Sequence, residues 1–262
     1  MLQATSTSET RDAARELKFI VTPDVAGAIL EWARSRTAGD PYAGGDTGDE
    51  YRTTSLYFDT ETFAVYRRHG SYGRSKYRVR RYGSADLVFL ERKLRTDRLL
   101  SKRRTIVPLA DLPLVTNPST DKTWPGRWFA KRIASRQLLP TCQIAYRRHA
   151  RVGLGPYGPY RLTFDEDIVV QPATALVFQP GNGLRVLPTH TIVEMKFRLD
   201  LPAVFKHLVE TFALQPTSVS KYRLGLDALR REHVRTGPSA ADLSRVLPGD
   251  TTAIAAAGIV HG

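Results

Sequence analysis

The sequence predicts an α+β fold: an antiparallel sheet of about eight strands curled into a barrel with a charged lumen and helices packed outside. Three observations predict it. Eight short runs rich in aromatic and β-branched residues are spread along the 262-residue chain, each bounded by turn formers. Each of those runs gathers charge on one strand face, and the other face is mixed or apolar. Four further segments place apolar residues at helical spacing.

In chain order the strand-like runs are ELKFIV (16–21), YRTTSLYFDT (51–60), SKYRVRRYG (75–83), LVFLERKL (87–94), SKRRTIVPL (101–109), CQIAYRRHA (142–150), YRLTFDEDI (160–168) and TIVEMKFRL (191–199). Helices are predicted over 22–36, 124–138, 201–214 and, with a weaker pattern, 221–234. The first has Thr22 as N-cap and Pro23 at the first helical position. Residues 38–50, AGDPYAGGDTGDE, read as a loop. Residues 1–14 and 236–262 read as disordered tails around one domain spanning 15–235.

Strand parity sorts the charges. Lys76, Arg78 and Arg80 share a face, with Tyr77 and Val79 opposite. Glu91 lies with Lys93, Lys102 with Arg104, Glu194 with Lys196, and Glu16 with Lys18. A sheet with one solvated face accounts for such alternation in any single strand. It accounts poorly for eight strands that all carry charge on one side. A long sheet tends to curl, and closure removes its edges. In a closed lumen the like charges raise one another's energy until an anion enters, so a ligand with several linked negative charges is favoured.

Composition bounds the partner. Lys and Arg number 39 against 26 Asp and Glu, a net charge of +13, which points to an anionic ligand. Fourteen of those bases fall between Arg67 and Arg104, against Asp86, Glu91 and Asp97. A nucleic-acid surface with Tyr72, Tyr77 and Tyr82 as stacking platforms would look similar. Yet Glu16, Glu91 and Glu194 sit on the same faces as the bases, and carboxylates in a phosphate groove are unfavourable unless a divalent cation bridges them. That favours a metal-assisted phosphate site, and no nucleic acid is expected.

Cys142 is the sole cysteine, which excludes an internal disulfide and a thiolate metal cluster, and its apolar setting reads as core. The six histidines include no HExxH pair, against a zinc hydrolase. The N-terminus lacks a signal-peptide pattern, and no stretch approaches the roughly 20 apolar residues of a membrane span. A cytoplasmic location is expected, with a membrane-bound partner conceivable and the oligomeric state open.

The ordered set ELKF, SLYFDT, KYRVRRYG, FLERK, SKRR, IAYRRHA, RLTFD, IVEMKF and SKYRLG, over about 15–230, resembles the catalytic domain of the vacuolar transporter chaperone (VTC) complex. That domain is a polyphosphate polymerase of the CYTH-like triphosphate tunnel metalloenzyme superfamily. The resemblance implies an antiparallel tunnel barrel of about eight strands. It also implies transfer of the γ-phosphoryl group of ATP to a growing polyphosphate chain, with release of ADP and with Mn²⁺ or Mg²⁺ as cofactor.

Carried over by motif, the site comprises Lys18, the R-x-R pair Arg78 and Arg80, Lys93 of E-x-K, and Lys102 of the next basic strand. Arg148 of Y-x-R, Arg161 before T-F-D, and Lys221 of S-K-Y complete the basic set, with Lys196 beside it as a further substrate contact. Glu194 matches the metal-binding glutamate, and Glu16 is a second metal candidate. Arginines are expected to clamp phosphate oxygens bidentately, and lysines to act as point charges.

The related triphosphatases open with E-x-E-x-K, whereas Arg15-Glu16-Leu17-Lys18 offers one glutamate, and Ser218 stands where some relatives carry a lysine. Two alternatives to the polymerase are a triphosphatase acting on tripolyphosphate or nucleoside triphosphates, and a non-catalytic polyphosphate- or nucleotide-binding module. Arg78 and Arg80 are also candidates for pairing with Glu91 and Glu194. Asp59 and Asp165 read as turn-closing or capping residues, and Trp124, Trp128 and Phe129 as core. Arg67, Arg68, His69 and Arg74 read as a solvated surface or basic rim.

Overall fold

The computed structural model describes residues 7–10, 14–44, 46–95, 100–117 and 122–236. Its strands are β1 (Thr7–Thr10), β2 (Ala14–Val21), β3 (Ala38–Gly39), β4 (Glu50–Asp59), β5 (Ser75–Tyr82), β6 (Leu87–Arg95), β7 (Leu100–Pro108), β8 (Leu139–Gly155), β9 (Gly158–Pro172), β10 (Leu184–Arg185) and β11 (Thr191–Arg198). The helices are α1 (Pro23–Arg34), α2 (Arg127–Ser135), α3 (Ala203–Thr211) and α4 (Lys221–Thr236).

All strand pairing is antiparallel, in the order β1-β7-β6-β5-β4-β8-β9-β11-β2, with β10 on β9 and β3 on β8. The two ends of this path, β1 and β2, are separated by only three positions in the chain. One N-terminal segment thus pairs with both ends of the sheet, and the sheet wraps around a lumen. Among the described residues no ladder joins β7 directly to β2, so the tunnel is not a continuously hydrogen-bonded barrel.

Thr7–Thr10, expected within a disordered tail, is instead a strand in register with Lys102 to Thr105. The C-terminal tail expected from 236 lies outside the described residues, except Thr236, which ends α4. The eight expected strands all form, and β8 and β9 run longer than the aromatic pattern indicated. Their hairpin partners satisfy the extra backbone groups, so polar stretches such as RRHAR stay extended. Thr22 stands at the N-cap of α1 without a side-chain cap bond, and Pro23 opens the helix as expected.

The apolar strand faces pack outward under helices. Phe19, Leu162, Phe164, Val193 and Met195 are buried against Ile29 and Ala33 of α1 and Phe205 and Leu208 of α3. Tyr77, Val79 and Leu90 are buried in the same core as Phe129 and Ile133 of α2. Burying each such side chain contributes about 1.5–3 kcal/mol. Cys142 is fully buried, and burial pushes its thiol up from the ordinary value.

The fourth helix has a second role. A register shift in the β8–β9 ladder between Ala145/Arg147 sets Arg147 opposite Glu166 and Ala145 opposite Val169. Asp167, at φ 49°, is the extra residue, so the face carrying Asp165 continues as Ile168 and Val170. Tyr222, Leu226 and Leu229 of α4 share a core with Ile144, Ile168 and Val170 on that face, and Tyr222 stacks on Tyr57 at 5.2 Å. A Cβ on Gly225 would meet Val170 Cγ2 at 2.9 Å and Ile144 Cδ1 at 3.0 Å, so only glycine allows this approach. The start of α4 is therefore held against the tunnel interior.

Candidate functional site: a charged tunnel

A cavity of about 330 Å³ runs inside the sheet, and all eleven residues nominated from sequence line it: Glu16, Lys18, Arg78, Arg80, Lys93, Lys102, Arg148, Arg161, Glu194, Lys196 and Lys221. Strand parity explains the convergence, because alternate residues of β2, β5, β6, β8, β9 and β11 point inward. The charges form three groups.

On β5–β7, Glu91 is 2% exposed and holds Arg78 Nε at 2.6 Å, Arg104 Nε at 2.8 Å and Lys102 Nζ at 2.9 Å. Burial opposes its charge, but Arg78, Lys102, Arg80 and Arg104 together hold it well below the usual carboxylate range. Burial and the nearby arginines lower Lys102 to about 8, against the pull of Glu91. Arg78 also donates to Tyr57 OH at 3.3 Å. Arg80 donates to Ser55 Oγ and Tyr146 OH, both at 3.1 Å, and has no carboxylate partner among the described residues. The suggested pairing of these arginines with acids thus holds for Arg78 with Glu91 and not for Arg80. Beyond Arg80, Tyr82 accepts from Arg104 at 2.9 Å, and the two arginines overcome burial to bring its phenol to about 7.

On β8–β9, Arg148 grips Asp165 bidentately, Nε to Oδ1 at 2.5 Å and Nη2 to Oδ2 at 2.7 Å, and Lys221 of α4 pairs with the same carboxylate. Asp165 is fully buried, and burial is outweighed by Arg148 and Lys221, which lower it to about 2. The expectation that Asp165 closes a turn or caps a neighbour is corrected: it lies within paired strands as the counter-charge of two site residues. Asp59 does serve its local loop, accepting from the backbone of Thr60, Val65 and Tyr66, and it also accepts from Tyr222. Arg161 donates to Tyr51 OH at 2.5 Å and pairs with Asp40 of the 38–50 loop.

On β2–β11, the register sets Glu194 opposite Lys18 and Lys196 opposite Glu16. Glu16 contacts Lys18 at 2.6 Å and Lys93 at 3.2 Å across the lumen, and Glu194 contacts Lys196 at 2.7 Å. Both carboxylates are pushed up by burial, yet lysines keep both charged: Lys93, Lys196 and Lys18 around Glu16, and Lys196 and Lys18 around Glu194. Among the described residues their partners are ammonium groups, apart from the longer-range charge of Arg148 on Glu194.

Sequence reasoning missed Lys76, Ser220, Asp165 and Asp40 as members or neighbours of the site. Lys76 had a signal, since it shares the face of Arg78 and Arg80; the others depend on where a helix end, a bulge and a loop settle in three dimensions. Of the suggested stacking tyrosines, Tyr77 is buried in the core, and Tyr72 lies under Arg136 with the guanidinium carbon 4.4 Å from the ring centroid. Trp124 and Phe129 are core as expected, and Trp128 donates to Thr105 Oγ1 at 2.7 Å. Outside the tunnel, buried Asp49 anchors the 38–50 loop through Arg34 at 3.0 Å, His149 at 3.2 Å and Arg151 at 3.3 Å.

The fold and site define an antiparallel tunnel whose interior gathers basic side chains around a few buried carboxylates. The VTC domain family matches residues 13–230, and the chain belongs to that family. Among solved structures it is similar to a candidate adenylate cyclase from Bacillus halodurans, at 14% identity and TM-score 0.51, over 81% of this chain and 95% of that one. A candidate adenylyl cyclase from Hippeastrum with a dominant triphosphatase activity is 17% identical, at TM-score 0.45, covering 81% of this chain and 94% of that one. A Pyrococcus horikoshii protein is 11% identical, at TM-score 0.44, covering 84% and 99%. The first of these supports the fold. No curated protein matches at a significant level. Among the described residues no helix is long and apolar enough to cross a membrane.

Proposed function

We propose that the protein is a metal-dependent polyphosphate polymerase that moves the γ-phosphoryl group of ATP onto a growing polyphosphate chain and releases ADP. The observation that carries this is the convergence in one tunnel of basic side chains from seven strands and a helix, around two carboxylates whose close ion-pair partners among the described residues are lysines. Membership of the VTC family supports the polymerase over other phosphoryl-transfer reactions.

The donor set fits a hard divalent cation. Glu194 and Glu16 offer oxygen ligands on adjacent strands, and Mg²⁺ or Mn²⁺ is commonly held by one or two carboxylates with substrate phosphates completing its shell. Among the described residues no cluster of three or more His, Cys, Asp or Glu is arranged to hold a metal alone, so the phosphates are needed. Such an ion, when bound, neutralises charge on the phosphates between which the group is transferred.

The chain's own residues do the rest. Arg80, with no carboxylate partner among the described residues, and Arg78, Arg148 and Arg161 clamp phosphate oxygens in line, while Lys18, Lys93, Lys102, Lys196 and Lys221 spread positive charge along the track. A terminal oxygen of the acceptor chain forms the new bond to phosphorus as the bond to the β–γ bridging oxygen breaks, and ADP carries that oxygen away. The acceptor is already anionic, so no proton need be abstracted.

Incubation of pure protein with ATP and Mn²⁺ tests the proposal. ADP together with long acid-labile phosphate chains is the expected result. Orthophosphate without chains would replace it with a triphosphatase, and tight binding without turnover would replace it with a binding module.

A further inference from the structure

Lys76 differs from the other lysines of the tunnel. Lys18, Lys93, Lys102, Lys196 and Lys221 each lie against a carboxylate. Lys76 lines the same cavity and has no ion-pair partner among the described residues; its Nζ donates instead to Ser220 Oγ at 2.9 Å. Both groups sit on fixed supports. Lys76 is on β5 beside Arg78, and Ser220 accepts through its carbonyl from Leu224 N–H at 3.0 Å as α4 begins. Because Ser220 Oγ accepts from Lys76, its hydroxyl proton is left to donate to a ligand oxygen. An ammonium and a hydroxyl side by side, with no counter-ion among the described residues, form a cradle for one phosphate group.

We propose that Lys76 and Ser220 together hold one phosphate of a linked-phosphate ligand, and that the arrival of this anion is coupled to proton uptake by Lys76. The inference rests on the tunnel's binding linked phosphates.

The surroundings supply the coupling. Burial, and then the charges of Lys18 on β2, Lys93 on β6, Arg78 on β5 and Arg68 from the loop after β4, lower Lys76 to about 8. Glu16, the acid on the facing strand, is already taken by Lys18 and Lys93. Near pH 8 the lysine is therefore partly neutral, and an adjacent phosphate restores its proton from solvent. Affinity should fall as pH rises through about 8, because the bound state then holds more protons than the free state.

Calorimetric titration of tripolyphosphate between pH 7 and 9, in two buffers of different ionisation heat, tests this without requiring turnover. Wild-type protein should take up protons on binding near pH 8. Lys76→Met should bind about tenfold more weakly at pH 7 and take up fewer protons than wild type near pH 8, the share of Lys102 remaining. Lys76→Arg, which keeps a fixed charge, should bind within a few-fold of wild type and show the same reduced uptake, a result that a merely structural role would not give. The proposal is overturned if Lys76→Met binds with wild-type affinity and the same proton uptake, or if wild-type protein shows no uptake across this range. Conversion of ATP to orthophosphate alone would remove the polymerase reading and leave this result standing. A wild-type protein that binds no tripolyphosphate would overturn both.

Discussion

Two carboxylates of the tunnel, Glu91 and Glu194, are equally buried at 2% and 5% exposure, and both are held ionised, yet their neighbours differ in kind. Glu91 sits between two arginine side chains and Lys102, all within 2.9 Å. Guanidinium forks occupy its lone pairs directionally and are themselves fixed by Tyr57 and Tyr82. Among the described residues Glu194 has one ion-pair partner, the Lys196 ammonium at 2.7 Å, a point charge on a flexible stem. The first arrangement holds β5, β6 and β7 together; in the function proposed above, the second exchanges its lysine for a cation when phosphates arrive to take the ammonium. Burial and charge alone do not separate a structural acid from a metal ligand. On the function proposed here, the identity of the neighbouring base does.

Substitutions can break this contrast or sharpen it. The largest expected effect is on turnover with ATP and Mn²⁺: Glu194→Gln should lower it at least about 100-fold while shifting the thermal midpoint little. Glu91→Gln should reverse that profile. Leaving Arg78, Arg104 and Lys102 without their shared acid should destabilise the fold by roughly 3 kcal/mol in denaturant unfolding, and added tripolyphosphate should recover part of the loss. An Arg80→Met variant tests the arginine that has no carboxylate partner among the described residues, and its affinity for tripolyphosphate should fall about tenfold, with a shallower salt dependence than wild type. The smallest effect belongs to Asp40→Asn. Removing the acid that covers Arg161 should raise tripolyphosphate affinity about threefold, and a decrease would show that Asp40 supports Arg161 and does not compete for it.

Much of the tunnel was legible in the sequence because strand periodicity is strict. Once KYRVR, FLERK and VEMKF are read as strands, parity alone turns Arg78, Arg80, Glu91, Lys93, Glu194 and Lys196 to one side. What parity cannot reach is any feature fixed by an irregularity. Asp167 at positive φ shifts the register of β9, and only that shift lets one face carry Asp165 for Arg148 and then Val170 for α4. The pairing of Lys76 with Ser220 spans 144 positions in the chain and depends on where α4 docks. Asp40 reaches Arg161 because Asp49 pins the far end of its loop to Arg34 and Arg151, a contact made by side chains on a helix and a strand that composition does not connect. The strand at Thr7–Thr10 was hidden for a similar reason: its Ser- and Thr-rich sequence reads as a tail, and only the open edge of β7 makes it a strand.

The most direct test is the binding of Mn²⁺, followed by electron paramagnetic resonance in the presence of tripolyphosphate, across wild type, Glu194→Gln and Glu91→Gln. Retained ion capture in Glu91→Gln with loss in Glu194→Gln is the expected result. Capture that survives in Glu194→Gln and vanishes in Glu91→Gln would contradict the assignment of the lysine-flanked acid as the exchangeable one.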